Sequence, residues 1–121
     1  MNCQLILNNL SLNVKLGHTE EERFSSQQIL VQIKLQFIEP PLACSTDDLQ
    51  DTLCYATLSN ELQKFCDARS FKLIEFLCDQ LYQCVKKKIV EMTSKQIKVC
   101  VCVTKNPPLN SLEQSSFLIS D

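Results

Sequence analysis

Apolar and polar residues alternate one by one in two segments near the start of the chain, the period of a half-buried β-strand. The apolar positions are Leu10, Leu12, Val14 and Leu16 in the first segment, and Val31, Ile33, Leu35 and Phe37 in the second. The polar segment 17–27 between them is predicted to be a connection. Its first residue, Gly17, is the only glycine in the chain, which indicates a backbone position that a side chain would strain.

The apolar period becomes helical after Thr57, which is a plausible N-cap for a first helix. Ser70 is predicted to open a second, longer helix. The apolar stripe of the first helix is Leu58, Leu62, Phe65 and Cys66, and that of the second is Ile74, Leu77, Cys78, Leu81, Val85 and Ile89. The strand period then returns from Ile97 to Val103 until Pro107 and Pro108 interrupt it, and a last strand is predicted from Ser115 to Ile119.

The predicted order of strand, strand, helix, helix, strand, strand indicates an α+β domain of two layers. Two helices would cover one face of a four-stranded antiparallel sheet, and 121 residues are enough for one such domain, residues 1–121. The other face of the sheet would be polar, with Asn13, Lys15, Gln32, Lys34, Gln36 and Lys98. Because free sheet edges rarely stay open, we expect several copies to join edge to edge into a closed barrel around a wet tunnel.

Composition excludes several classes of function. A formal net charge of −2 and one short basic run, Lys86 to Lys88, argue against nucleic-acid binding. No apolar run approaches the length of a membrane span, so no membrane partner is expected. Eight cysteines occur with the single histidine, His18, and without zinc-ligand spacing, so no metal site is expected. Since the start of the chain does not resemble a signal peptide, these cysteines are interpreted as reduced and mostly buried in a cytoplasmic protein.

Four features are candidates for chemistry: the run Glu20 to Glu22 ahead of Arg23, then Tyr55, Glu75 and Lys105. Each has an ordinary alternative, because loop glutamates are usually solvated and a tyrosine where two elements join usually packs. Glu75 is the most informative, since it stands in the apolar stripe at the start of the second helix. It is either a functional carboxylate or an N-terminal acid that suits the helix dipole.

Four motifs occur in an order that resembles the dihydroneopterin aldolase family. They are Gly17 with Glu22 and Gln27, the run from Asp47 to Tyr55, the tripeptide Leu73-Ile74-Glu75, and the run from Val103 to Pro108. The resemblance implies the tunnelling fold, in which four subunits close a barrel and two rings often stack into an octamer. It also implies active sites at subunit boundaries, no metal or cofactor, and cleavage of 7,8-dihydroneopterin into 6-hydroxymethyl-7,8-dihydropterin and glycolaldehyde.

The resemblance assigns a role to each candidate. Glu75 would anchor the pterin ring through two parallel hydrogen bonds, with backbone contacts from Leu73 and Ile74. Lys105 would act as an acid and base at the pterin N5 through water. Tyr55 would reach a neighbouring subunit's site and move protons there, and Glu22 would place the substrate's side chain and its relay water.

Two alternatives remain within the same fold. The acidic run Glu20 to Glu22 is similar to that of dihydroneopterin triphosphate epimerases, which should need basic residues for the phosphates, and Arg23 is the one candidate for that role. A non-catalytic member that binds a pterin or purine is the other alternative. The combination of Glu22, Tyr55 and Lys105 argues against the binding protein, and the run from Lys105 to Pro108 resembles the aldolases more than the epimerases. His18 is interpreted as a solvated loop residue.

Overall fold

A computed structural model describes residues 2–105 and 114–121, in which five strands form one sheet in the order β3-β1-β2-β4-β5. In chain order the elements are β1 (Cys3–Leu16), α1 (Glu20–Phe24), β2 (Gln27–Phe37), α2 (Ala43–Thr46), a 3-10 helix (Leu49–Asp51), α3 (Tyr55–Asp67), β3 (Ser70–Phe71), α4 (Ile74–Met92), β4 (Ile97–Lys105) and β5 (Ser115–Ser120). The two long helices, α3 and α4, pack on the sheet. The α+β class predicted from the sequence is therefore confirmed.

The sheet has five strands, so the prediction of four was wrong. The additional strand is β3, which pairs parallel to β1 and makes the sheet mixed. Ser70 was predicted to open the second helix, but it belongs to β3, and α4 begins at Ile74. The physical reason is Phe71: its ring is buried against Phe65, and its carbonyl accepts a hydrogen bond of 3.0 Å from the Gly17 N–H.

The core consists of the inward faces of the strands and the apolar stripes of the helices. In α4 the predicted stripe is buried at Leu77, Cys78, Leu81, Val85 and Ile89. Burying each such side chain contributes roughly 1.5–3 kcal/mol to folding, so packing rather than helix propensity holds this layer in place. Within the described residues, no helix is long and apolar enough to cross a membrane.

Strand β1 begins seven residues before the predicted start, because a β-bulge separates two alternating runs. Asn8 and Asn9 together face Gln32 of β2, and Asn9 has a positive φ of 54°. Residues that face the core have odd numbers before the bulge and even numbers after it, so Leu7 and Leu10 both turn toward the core. Such a bulge also bends the strand, as sheets that curl toward closure require.

The cysteines differ from the prediction in burial. All eight lie in the described part of the chain as free thiols. Cys66 and Cys78 are buried, but Cys44 is exposed and the other five are half-buried, so the prediction of mostly buried thiols was wrong. Strands place residues on both faces of the sheet, and Cys100 and Cys102 fall on the face that the helices leave open.

Two predicted connections contain short helices. The segment 17–27 carries α1, and the polar stretch after β2 carries α2 and the 3-10 helix. At the other end of the chain, Pro107 and Pro108, which were predicted to interrupt this strand, lie outside the described residues, as does Asn106 of the same motif.

Candidate active site

Glu22 and Lys105 form an ion pair at one end of the sheet. The Lys105 Nζ lies 3.3 Å from Glu22 Oε2, and the two residues are 83 positions apart in sequence. Lys105 is the last residue of β4, and its side chain is only 15% exposed. Since little of it reaches solvent, its amino group stays close to this carboxylate. The hydrogen bond from Lys105 lowers the pKa of the Glu22 carboxyl, and the backbone N–H groups of Thr19 and His18 lower it further. A carboxylate and an ammonium group are thus positioned together.

Gly17 allows Glu22 to reach this position. A Cβ atom added at Gly17 would lie 2.2 Å from the Glu22 Cβ and 2.8 Å from its Cδ, far inside van der Waals contact. The glutamate side chain therefore packs directly against the glycine backbone. The sequence prediction that Gly17 marks a backbone position closed to side chains agrees with this packing, although the obstacle is the neighbouring side chain and not a positive φ.

Two further residues hold α1 in place. The Thr19 Oγ1 caps the helix by accepting a hydrogen bond of 3.2 Å from the Glu22 N–H. The Arg23 Nη1 donates to the carbonyls of Gly17 at 2.8 Å and His18 at 2.9 Å. Sequence analysis missed this role of Arg23. A signal for the helix was present, because Thr19 followed by Glu22 has the spacing of a capping box.

The tripeptide Leu73-Ile74-Glu75 lies at the start of α4, close to the same end of the sheet. Leu73 is the N-cap, with φ −130° and ψ 145°, and Glu75 stands exposed in the first helical turn. Phe71, two residues before Leu73, is hydrogen-bonded to Gly17. The first backbone N–H groups of a helix have no partner within the helix, so this end offers donors beside a carboxylate.

Tyr55 lies away from these residues within one chain. It is the first residue of α3, and its side chain is 56% exposed. The last residue of α3 precedes β3 by three positions, so the other end of the helix is the one near Gly17. A helix of this length places its two ends about 18 Å apart.

A cavity of about 550 Å³ lies at the opposite end of the sheet from Lys105. It is lined by the last turn of α4 and the start of β4, including Ile89, Val90, Ile97 and Asp121. Glu22, Lys105 and Glu75 therefore lie at the other end of the sheet and not in this cavity.

Comparisons with known proteins identify the same family that the motifs resemble. The family model for dihydroneopterin aldolase matches residues 5–118. A probable dihydroneopterin aldolase of Chlamydia muridarum is 32% identical over 117 residues, which are 97% of this chain and 95% of the relative. The corresponding protein of Chlamydia trachomatis is 35% identical over 107 residues, 88% of this chain and 86% of the relative.

Solved structures share the fold at lower sequence identity. The Escherichia coli dihydroneopterin aldolase, in complex with neopterin, has a TM-score of 0.81 at 16% identity, with 98% of both chains covered. A dihydroneopterin aldolase of Burkholderia thailandensis, bound to guanine, has a TM-score of 0.72 at 17% identity and covers 99% of this chain and 90% of that one. At these identities the likeness establishes the fold.

Proposed function

This chain belongs to the dihydroneopterin aldolase family, and we propose that its Glu22–Lys105 pair carries out the family's reaction on a pterin held by Glu75. The enzyme is a lyase of folate biosynthesis, on the route to tetrahydrofolate. It cleaves 7,8-dihydroneopterin into 6-hydroxymethyl-7,8-dihydropterin and glycolaldehyde. The observation that carries the assignment of the pair is the 3.3 Å contact between two residues far apart in sequence.

Glu75 anchors the ring in this proposal. A carboxylate accepts two parallel hydrogen bonds from the adjacent N–H and amino groups of a pterin. Its exposed position in the first turn of α4 leaves both oxygens accessible to a ligand, and the nearby backbone of Leu73 and Ile74 offers further contacts. The neopterin and guanine complexes of the structural neighbours support a ligand with these donor groups.

Lys105 and Glu22 manage protons at the reacting side chain. When the proton of the 2′-hydroxyl is removed, the C1′–C2′ bond breaks and its electron pair moves into the ring's C=N bond. A proton returned to C1′ completes the hydroxymethyl group. Lys105 acts at N5 through water, while Glu22 places the substrate's side chain and the relay water. Since the ring itself takes up the electrons, the step requires neither a metal nor a lysine Schiff base.

Tyr55 completes the site from a neighbouring subunit. Its position about 18 Å from the Glu22 end of α3 and its 56% exposure support a role across a boundary and not within its own chain. A tetrameric barrel, alone or stacked as an octamer, would bring the Tyr55 of one copy to the Glu22–Lys105 pair of the next. The polar face of the sheet, including exposed Lys15 and Lys98, suits a water-filled tunnel.

The epimerase alternative loses its one candidate residue. Arg23 donates to two backbone carbonyls of its own loop, so its guanidinium is committed to local structure and not to a triphosphate. A purely binding protein would have no use for the part-buried ion pair of Lys105 with Glu22. We propose the cytoplasm as the compartment of the reaction, because the free thiols of the chain would stay reduced there.

The experiment that tests the proposal follows cleavage directly. Purified protein is incubated with dihydroneopterin and, separately, with its triphosphate, both in EDTA, and glycolaldehyde and side-chain stereochemistry are measured. Glycolaldehyde release in the presence of the chelator, lost in Lys105→Ala, is the expected result. Isomerisation of the triphosphate without cleavage would indicate the epimerase, and ring binding without turnover would indicate a binding protein.

A further inference from the structure

The helix that carries Glu22 is too short to hold itself in place. Helix α1 has five residues, all of which keep part of their surface exposed. An isolated helix of this length is unstable in water, because forming its first turn costs more than its few hydrogen bonds return. Phe24, its one aromatic residue, is 87% exposed and so adds little packing that would hold the helix on the sheet. The position of the Glu22 carboxylate must therefore depend on specific polar contacts.

Arg23 supplies two of those contacts and directs them at the backbone on which Glu22 rests. Its Nη1 donates to the Gly17 carbonyl at 2.8 Å and to the His18 carbonyl at 2.9 Å. The guanidinium thus closes the loop that leads from the end of β1 into α1. Because the Glu22 side chain packs on the Gly17 backbone, a shift of that loop would move the carboxylate away from Lys105.

Gly17 also connects this loop to the start of α4. Its N–H donates to the Phe71 carbonyl at 3.0 Å, while its carbonyl accepts from Arg23. Phe71 lies four residues before Glu75. The two contacts use different groups of Gly17, so loss of the Arg23 contact leaves the hydrogen bond to the segment that carries the ring anchor in place.

We infer that Arg23 is a positioning residue for the aldolase reaction: by bridging the carbonyls of Gly17 and His18 it holds Glu22 against Lys105. The inference rests on the function proposed above for the pair. Arg23 itself touches neither substrate nor reacting atoms. It acts on turnover through the placement of the carboxylate, whereas binding of the ring at Glu75 does not depend on it.

The test separates turnover from ring binding in Arg23→Gln, which keeps a polar side chain but cannot bridge both carbonyls. Because displacement of a catalytic group by about 1 Å costs up to about a hundredfold in rate, we expect kcat to fall at least about tenfold. The Kd for neopterin should stay within about twofold. Arg23→Lys, which can still donate to one carbonyl, should recover part of the lost kcat and serves as the milder variant if Arg23→Gln does not fold.

The matched control is Arg69→Gln, because Arg69 makes a similar contact of 2.9 Å to the Phe65 carbonyl outside the proposed site. It should keep the kcat of the unmodified enzyme. A kcat within twofold of normal in both Arg23 variants would overturn the inference, as would a loss of neopterin affinity as large as the loss of kcat. Failure of the proposed function gives a different result, since the unmodified protein would then release no glycolaldehyde.

Discussion

Glu75 is expected to affect mainly binding and Lys105 mainly turnover. Glu75 would contact the pterin ring, which stays unchanged, whereas Lys105 would act at the part of the substrate that reacts. The pterin ring has nearly the same hydrogen-bonding groups before and after cleavage, so a carboxylate that grips it stabilises ground state and transition state alike. An amine near N5 meets a centre whose charge changes. Single substitutions should therefore separate the two roles.

Glu75→Ala should abolish ring binding. Loss of two charge-assisted hydrogen bonds costs roughly 2–4 kcal/mol, a weakening of Kd by about 30- to 1000-fold. Calorimetric titration with neopterin measures this. The control is Glu91→Ala, a carboxylate in the last turns of the same helix that pairs with Lys88 at 3.1 Å, and it should keep normal affinity. An unchanged Kd in Glu75→Ala would refute the anchoring role.

Lys105→Ala should slow turnover far more than it weakens binding. A positioned acid or base contributes about a hundred- to ten-thousandfold to the rate, and kcat should fall within that range. Lys98→Ala removes an exposed lysine from the same strand and provides the comparison for stopped-flow or steady-state assays. If the affinity loss exceeds the loss of kcat, Lys105 is a binding group and the acid–base role is wrong.

The candidate site residues could be selected from the sequence, but most of their contacts could not. The motif order singled out Glu22, Glu75 and Lys105. The contact of Glu22 with Lys105 joins residues 83 positions apart, and no local pattern specifies such a distance. The role of Arg23 was missed because an arginine bonded to backbone carbonyls leaves no mark in hydrophobic periodicity.

At the scale of elements, the periodicity located the long helices and most of the strands because burial enforces it. It failed where an element is very short or the period is interrupted. Two residues, Ser70 and Phe71, are too few to show alternation, so β3 was assigned to the helix. The start of β1 was missed because the bulge at Asn8 and Asn9 breaks the alternation. The sequence does show two alternating runs, with apolar residues at odd numbers up to Leu7 and at even numbers from Leu10.

Strand β5 is joined to α4 and β4 through the carboxylate of Asp121, which follows the strand directly. It accepts hydrogen bonds from the Tyr82 hydroxyl, from Lys86 Nζ at 2.8 Å and from the Val99 N–H at 2.9 Å. Partial burial raises the pKa of this carboxyl, but these three donors outweigh that effect and lower the pKa to about 2. The ionised form is thus favoured by folding.

Asp121→Asn should therefore lower the free energy of unfolding, by about 1 kcal/mol at neutral pH after allowance for solvent screening. Since the folded-state pKa of about 2 lies below the unfolded value, the contribution is complete above the unfolded pKa and is lost as pH falls through the folded one. Urea unfolding of both proteins at pH 7 and between about pH 4 and pH 2 tests this, because the difference should shrink across the acid range. A difference that stays constant with pH would contradict the assignment to the carboxylate.

Glu91→Gln serves as the comparison for this measurement. Glu91 pairs with Lys88 on the helix surface, with 50% of its side chain exposed. Such an exposed pair three residues apart contributes only about 0.2–0.5 kcal/mol. The free energy of unfolding should therefore fall less in Glu91→Gln than in Asp121→Asn, because Asp121 is better enclosed.

At the scale of the whole molecule, one subunit leaves the proposed machinery incomplete, and within the described residues its sheet ends in unpaired edges. The pair Glu22–Lys105 lies at the far end of α3 from Tyr55, and β3 and β5 occupy the two edges of the sheet. The sequence indicated the need for partners through those edges and through the polar face, but an edge does not specify how many copies close the ring. Both features are accounted for if each site takes its tyrosine from a neighbour.

Mixing two inactive variants tests this arrangement. If Tyr55 acts across a boundary, Tyr55→Phe subunits supply an intact Lys105 and Lys105→Ala subunits supply an intact Tyr55. Random assembly of equal amounts, after unfolding and refolding together, should restore about a quarter of the sites and hence about a quarter of normal activity. Each variant refolded alone is the control and should stay inactive. If Tyr55 and Lys105 instead serve the same chain's site, every site retains one defect and the mixture stays as inactive as its components.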